Sequence, residues 1–432
     1  MVNTSNKPDH IPGFEAQGAT VTRIRNEELS GVANSVKYNG GMVRWKNKVI
    51  MAYRRFDPDK KYYEVDPATN ERRPYNVMNI AISELNELWQ PNGTHYVPTM
   101  PYRRGNERYE DPRLFVFDRQ LYLAVVEAKI NPGYAVSQRL FRLDDNYQIA
   151  HVLDIKVGDN FKGNGFSEKN WTYFEQDGKL YLLYDVHQMQ VYQVNPKSGV
   201  VIATTQIPRL HWPYGFMRGG TCPVKLPDGN WLKIVHSSTD TPWSPTGGQR
   251  RYSMSAVIFS PEPPFKPLLI SKDPFLYGSR HEWWCGAGCS QCIFPAGLIL
   301  DGDMWHISAG VNDSYNAVLH YDGRKLMQGM VDASEFDVPR KRFFFSNRPN
   351  SVQTIVGQEN LWRPTRVGSR GREGIIATQD PFSIAELLAA EHAKELTEAE
   401  YDRILKSVSG GSTIQDDYSE LRKPKKIFSV KQ

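Results

Sequence analysis

The chain has 432 residues, 40% of them hydrophobic and 12% aromatic, enough for a large core in two or three domains or in one large β architecture. A formal net charge of +5 is too small at this length to imply a polyanionic partner. Four cysteines without an N-terminal apolar segment argue against a disulfide-framed secreted protein, and no apolar run approaches the roughly 20 residues of a membrane span. The expectation is a soluble, cytoplasmic protein without a membrane partner, its state as monomer or homo-oligomer left open.

In chain order, residues 1–28 read as an N-terminal arm, polar at first and with two prolines before Gly13. A hairpin follows, with a tight turn at Lys46-Asn47-Lys48 leading into Val49-Ile50-Met51-Ala52-Tyr53. The unit returns around Asp118-Arg119-Gln120, Asp177-Gly178, Asp228-Gly229 and Asp301-Gly302. Asp-Gly and Asn-containing turns between short β-rich runs are the strongest local hairpin signal. The turn centres lie between 51 residues (Gly178 to Gly229) and 73 residues (Gly229 to Gly302) apart. Each interval holds a second hairpin, such as the one containing Asn79-Ile80-Ala81-Ile82-Ser83. Four strands repeated five times predict an all-β fold, a five-bladed β-propeller over 29–375. A β-sandwich or β-helix does not predict hairpins this regular with long variable insertions.

Residues 376–432 read as C-terminal helices and a basic tail. Asp380-Pro381 starts a helix continued by Ile384 to Leu396, and Thr397 caps a second that ends at Gly410-Gly411. Arg422-Lys423-Pro424-Lys425-Lys426 reads as a solvated extension rather than a nucleic-acid arm.

The chemistry concentrates where the repeats begin. Tyr109-Glu110-Asp111-Pro112-Arg113 sets two carboxylates and a guanidinium at the mouth of an apolar strand, and Pro112 is expected to hold Asp111 extended. The plain alternative is a surface turn in which Arg113 neutralises a carboxylate. The corresponding openings are Asn34-Ser35, Ser167-Glu168-Lys169-Asn170-Trp171, Arg218-Gly219-Gly220-Thr221-Cys222-Pro223 and Phe294-Pro295-Ala296-Gly297, the last hairpin ending at Asn312-Asp313. Twenty-two tyrosines and ten tryptophans supply flat faces suited to sugars.

With these motifs in order, the chain resembles glycoside hydrolase family 130, the β-mannoside phosphorylases and mannosidases, over roughly residues 30 to 325. Glu110-Asp111-Pro112-Arg113, the segment Gly219 to Lys225 with Trp231-Leu232 and His236, and the stretch from Trp284 to Asp313 carry the resemblance. It implies that Asp111 is the general acid, with Asn34, Arg54 and Asp313 holding hydroxyls of the innermost sugar and Glu110 and Arg113 lining the substrate. It also implies phosphate-binding positions at Lys169, His187, Arg218 and His236. Histidine, or a swapped cation, stands at two of these, and Asn170 replaces an aspartate usual in the family. Taken alone, each histidine reads as an ordinary strand residue.

Inverting cleavage needs an acid on one face of the sugar and a nucleophile on the other. A phosphate nucleophile calls for cations and hydrogen-bond donors rather than a second carboxylate. The leading expectation is phosphorolysis of a β-mannoside, or its reverse as transfer from a sugar 1-phosphate. Inorganic phosphate or a phosphorylated donor is then the co-substrate, with no metal and no other cofactor. A glycosyltransferase using a nucleotide sugar, an inverting hydrolase and a non-catalytic glycan-binding propeller are the alternatives. Cys285, Cys289 and Cys292 have a spacing that can hold an iron–sulfur cluster, but the helix–strand alternation of a radical-enzyme barrel is missing, so they read as buried or loop thiols.

Overall fold

The computed structural model describes residues 13–31, 36–65, 71–101, 108–129, 135–155, 157, 169–187, 189–205, 210, 212, 214, 217–240, 250–279, 291–334, 342–346, 361–364, 374–378 and 393–409. These are nearly all β, in two compact units. The first comprises the described residues of 1–210, 217–236 and 253–336, and the second those of 211–216, 237–252 and 337–432.

In chain order the strands lying wholly or mostly in the first unit begin with β1 (Thr20–Arg23). Then come β2 (Tyr38–Trp45), β3 (Lys48–Val65), β4 (Arg72–Leu85) and β5 (Pro91–Tyr96), followed by β6 (Arg108–Phe117), β7 (Gln120–Lys129), β8 (Ala135–Leu143) and β9 (Ile149–Asp154). The third set is β10 (Thr172–Gln176), β11 (Lys179–Asp185), β12 (Gln190–Val194) and β13 (Val201–Thr205). A fourth comprises β14 (Val224–Lys225), β15 (Trp231–Asp240), β16 (Arg250–Phe259) and β17 (Pro267–Ser271), with β18 (Leu276–Tyr277) pairing β16. The last is β19 (Ile293–Asp301), β20 (Met304–Val311) and β21 (Tyr315–Asp322), after which helix α1 (Gly323–Gln328) leads to β22 (Met330–Asp332) beside β17.

Each set is an antiparallel meander, and the first two are joined into one sheet by a single parallel pair, Met78 with Arg108. All five predicted turns are present. At Lys46-Asn47, Asp118-Arg119 and Asp177-Gly178 both turn residues have positive φ, the geometry that matches the twist of the flanking strands. The β19–β21 set is completed by β1, which pairs Thr20 with His320 and Arg23 with Ala317. The stretch read as an arm thus contains a strand.

The leading strands β2, β6, β10, β14 and β19 line one cavity of about 130 Å³, through residues such as Met42, Phe115, Tyr173, Val224 and Gly297. They pack backbone to backbone. A Cβ on Gly41 would come within 2.6 Å of the Pro112 carbonyl, and one on Gly219 within 1.8 Å of the Asn170 carbonyl. Two apolar cores flank these strands. One gathers Ile50, Ile80, Tyr109, Leu123 and Phe141, and the other Phe115, Trp171, Tyr173, Leu182 and Tyr192. Fully burying side chains of this size contributes about 1.5–3 kcal/mol each.

In the second unit β23 (Arg342–Ser346), β24 (Leu361–Pro364), β25 (Gly374–Thr378) and β26 (Ala393–Leu396) form a sheet in the order β24-β25-β23-β26. Residues 393–396 are therefore strand, not the end of the helix expected from Ile384 to Leu396. Pairing with the Phe343–Ser346 strand, whose Phe344 is buried, overrides a modest local helix preference. The second expected helix is present as α2 (Glu398–Ser409). Its Thr397 and Glu400 cap each other, Thr397 N–H donating to Glu400 Oε2 at 2.7 Å and Glu400 N–H to Thr397 Oγ1 at 3.2 Å. No helix among the described residues is long and apolar enough to cross a membrane.

Candidate active site

Three of the leading strands are bulged near their beginnings. In β2, Tyr38 pairs with Arg54 and Gly41 with Ala52, so Asn39 and Gly40 stand opposite Tyr53 alone. In β6, Glu110 pairs with Val126 and Arg113 with Ala124, leaving Asp111 and Pro112 against Val125. In β19 the shift falls at Ala296. Bulges re-aim side chains, and Pro112 has no N–H to lose from the ladder.

Asn39 and Asp111 both take left-handed backbone, with φ of 54° and 48°. The expectation that Pro112 holds Asp111 extended is thus overturned. Two residues facing one require a local reversal, which Asp and Asn tolerate better than other side chains.

The bulges turn Asp111 towards β2 and β3. Asn39 Nδ2 donates to Asp111 Oδ1 at 2.7 Å, and Arg54 Nη1 donates to the same oxygen at 3.1 Å. Arg54 Nη2 lies 3.3 Å from Glu110 Oε1. Burial would raise the Asp111 pKa, but the Arg54 and Arg113 charges and the Asn39 hydrogen bond outweigh it and lower it below the ordinary aspartate value. Burial opposes the Arg54 charge, yet Glu110, Tyr38, Asp111 and Asp313 together hold its pKa above that of a free arginine.

Arg113 is buried and acts as a strut. Nε donates to the Gly220 carbonyl at 2.6 Å, Nη1 to the Asp111 carbonyl at 3.2 Å and Nη2 to Asn170 Oδ1 at 3.3 Å. Its guanidinium carbon lies 5.1 Å from the centre of the Phe294 ring, and the His236 ring lies 4.9 Å from the same ring between centres. One side chain thus ties the beginnings of four strand sets together.

Arg218 and His236 face each other in a short backbone bridge, Arg218 N–H donating to the His236 carbonyl at 2.8 Å. Burial lowers the His236 pKa far below the usual histidine value, and the charges of Arg218, Arg113, Lys233 and Lys169 push the same way. His236 is therefore held neutral, by burial first and by neighbouring cations second. Lys169 is half-buried and also acts on Asp111 and Asp313. His187 is buried just past β11, its carbonyl accepting from Leu210 N–H at 2.8 Å.

The structure therefore joins Arg54, Glu110, Asp111 and Asp313 electrostatically, sets Arg218 beside His236, and has Lys169 acting on both groups. Asn34 lies outside the described residues, as do Trp243, Trp283, Trp284, Cys285 and Cys289. Cys292 is buried, and burial, then Asp313 and Asp111, push its thiol pKa far up. Sequence reasoning missed Asn39, although an asparagine before Gly40-Gly41 at a strand opening was an available signal of left-handed backbone.

No family model matches the chain, and no curated protein matches it. Solved structures of similar fold include a β-1,2-mannobiose phosphorylase from Listeria innocua, 14% identical, covering 72% of this chain and 99% of that one, with a TM-score of 0.49. A candidate glycosidase from Bacteroides thetaiotaomicron is 15% identical over 72% of this chain and 99% of that one, TM-score 0.50. A mannose phosphorylase from Leishmania mexicana, solved with phosphate ion, is 14% identical over 75% and 95%, TM-score 0.47. The likeness is one of fold, and the structures of similar fold include members of glycoside hydrolase family 130, the family whose motifs the sequence resembles.

Proposed function

We propose that the protein breaks or forms a glycosidic bond with inversion, by phosphorolysis of a β-mannoside or by the reverse transfer from a sugar 1-phosphate. The five four-stranded sets are read as blades of a five-bladed propeller, their leading strands around a common axis. The sugar sits over Arg54, Asp111, Glu110 and Asp313, with Asp111 as the essential carboxylate. Phosphate occupies the region of Lys169, His187, Arg218 and His236.

One observation carries this reading. Arg218, Arg113 and Lys169 act on the buried His236, while burial holds the Lys233 amine well below its ordinary pKa. Such a field is unfavourable unless an anion joins it. The similar mannoside phosphorylases agree in kind. Hydrolysis is the second reading, and it would need a carboxylate across the sugar from Asp111 to activate water.

The test offers the protein sugar 1-phosphates and nucleotide sugars with mannose acceptors and monitors release of phosphate or nucleotide. Arg218→Ala is expected to raise KM for the phosphorylated donor at least tenfold while leaving that for the acceptor sugar nearly unchanged. Mannoside cleavage indifferent to both phosphate and Arg218 would transfer the assignment to hydrolysis.

A further inference from the structure

Asn39 is unfavourable where it stands in three separate ways. Its backbone is left-handed, with φ of 54°. The residue is buried, and among the described residues no donor reaches its Oδ1. The bulge also takes Asn39 and Gly40 out of register with β3, both standing opposite Tyr53. Strained backbone and orphaned buried acceptors persist where function selects them. The one side-chain bond of Asn39 among the described residues is the one to Asp111 Oδ1, at 2.7 Å.

β2 is the end strand of its sheet, so the backbone groups on its open side need partners from elsewhere. Side chains of the β20–β21 hairpin supply them. Gly40 N–H donates to Asn316 Oδ1 at 2.7 Å, and Ser308 Oγ donates to the Gly40 carbonyl at 2.7 Å. Asn316 Nδ2 donates to the Lys37 carbonyl at 3.1 Å. One amide therefore grips the chain on both sides of Asn39.

Asn316 is itself fixed. It is fully buried, it pairs with Gly310 across the hairpin, and its carbonyl accepts from Ile24 N–H at 2.9 Å. Gly310 completes the fit, because a Cβ there would overlap Asn39 Oδ1. Among the described residues no hydrogen bond joins Asn316 to Asp111, so any influence of one on the other passes through the bulge.

We propose that Asn316 is a positioning residue for Asp111, clamping Lys37 and Gly40 so that Asn39 Nδ2 is aimed at the Asp111 carboxylate. Ser308 assists from the adjacent strand. This rests on the reading of Asp111 as the essential carboxylate and names what holds that carboxylate in register. Without the clamp, the two-against-one register relaxes towards the commoner extended backbone and Asn39 turns away from Asp111. A side chain of the last strand set thus sets the geometry of a carboxylate in the second, through a bulge in the first.

The test is a double-mutant cycle on the full chain, with Asn39→Ala, Asn316→Ala and the two combined. Two quantities are read in each. One is kcat/KM for phosphorolysis of β-1,2-mannobiose, and the other is the infrared carboxylate stretch that Asp111→Asn removes, whose frequency reports hydrogen bonding to Asp111. Asn39→Ala should lower kcat/KM about ten- to a hundredfold, chiefly in kcat, and move the stretch. Asn316→Ala should move both in the same direction. The combined variant should match Asn39→Ala alone, because Asn316 acts only through Asn39. Additive losses, or a wild-type stretch in folded Asn316→Ala, would overturn the proposal. If Asn316→Ala does not fold, Ser308→Ala takes its place in the cycle, with a smaller loss and the same non-additivity expected and the same two outcomes against it. A wild type that leaves the mannobiose intact, with the stretch still moving non-additively, would uphold the clamp and sink the mannoside-cleaving reading instead.

Discussion

The Tyr38 ring lies beside the Arg54 guanidinium, whose central carbon is 4.4 Å from the ring centre. The Tyr38 pKa is pushed up to about 12, by burial first, with Arg54 opposing and Asp313, Asp111 and Glu110 adding to the rise. The phenol is thus neutral in the working range, and its aromatic face is what holds the arginine in place. Tyr38→Phe is expected to keep near wild-type kcat/KM. Tyr38→Leu should lose about five- to thirty-fold, the range of a desolvated cation–π contact. Equal losses in the two variants would place the contribution in the hydroxyl.

Asn39 donates to the oxygen of Asp111 that Arg54 also reaches. Asn39→Ala removes a hydrogen bond to a charged group, worth about 1.5–3 kcal/mol. Because that bond helps hold the Asp111 pKa down, its loss lets protonation begin at higher pH. The limb of the kcat/KM profile that Asp111 sets should therefore move to higher pH, and an unmoved limb would dissociate Asn39 from the ionisation of Asp111.

A third expectation concerns pH and stability away from the site. His306 and His320 sit opposite each other on β20 and β21, their Nδ1 atoms 2.7 Å apart, and His320 Nε2 is 2.9 Å from Thr22 Oγ1 on β1. The imidazole–imidazole bond needs one nitrogen bare. Burial, then the His306 charge, lowers the His320 pKa to about 4. Between pH 6.5 and about 4 the unfolded chain therefore binds the proton that the folded chain refuses, and stability falls as pH falls through that window. Melting temperature followed across that window should drop in the wild type and change less in His320→Gln. Parallel curves would remove the pair as the cause.

The hairpins were legible because their turns are local chemistry. Asp177-Gly178 or Lys46-Asn47 dictates a reversal whatever the rest of the chain does. The left-handed backbone at Asp111 was hidden because it depends on register against Val125 and Val126, which belong to the partner strand. The strand at Ala393–Leu396 escaped for the same reason, its partner lying some 50 positions earlier at Phe343–Ser346. Of the site, the carboxylates and cations were readable as residue types at strand openings. Asn39 was not, since its role arises only once a bulge turns it towards Asp111.

The pairing of β1 with β21 carries a consequence for how the chain is made. Thr20 meets His320, so the last sheet of the first unit cannot be completed until some 300 further residues have been joined. At about 5–20 residues per second on the ribosome, β1 waits roughly 15–60 s for its partner. Through that interval Thr20–Arg23 is an unsatisfied edge, and a nascent chain halted before Tyr315 would expose it to any other strand at hand.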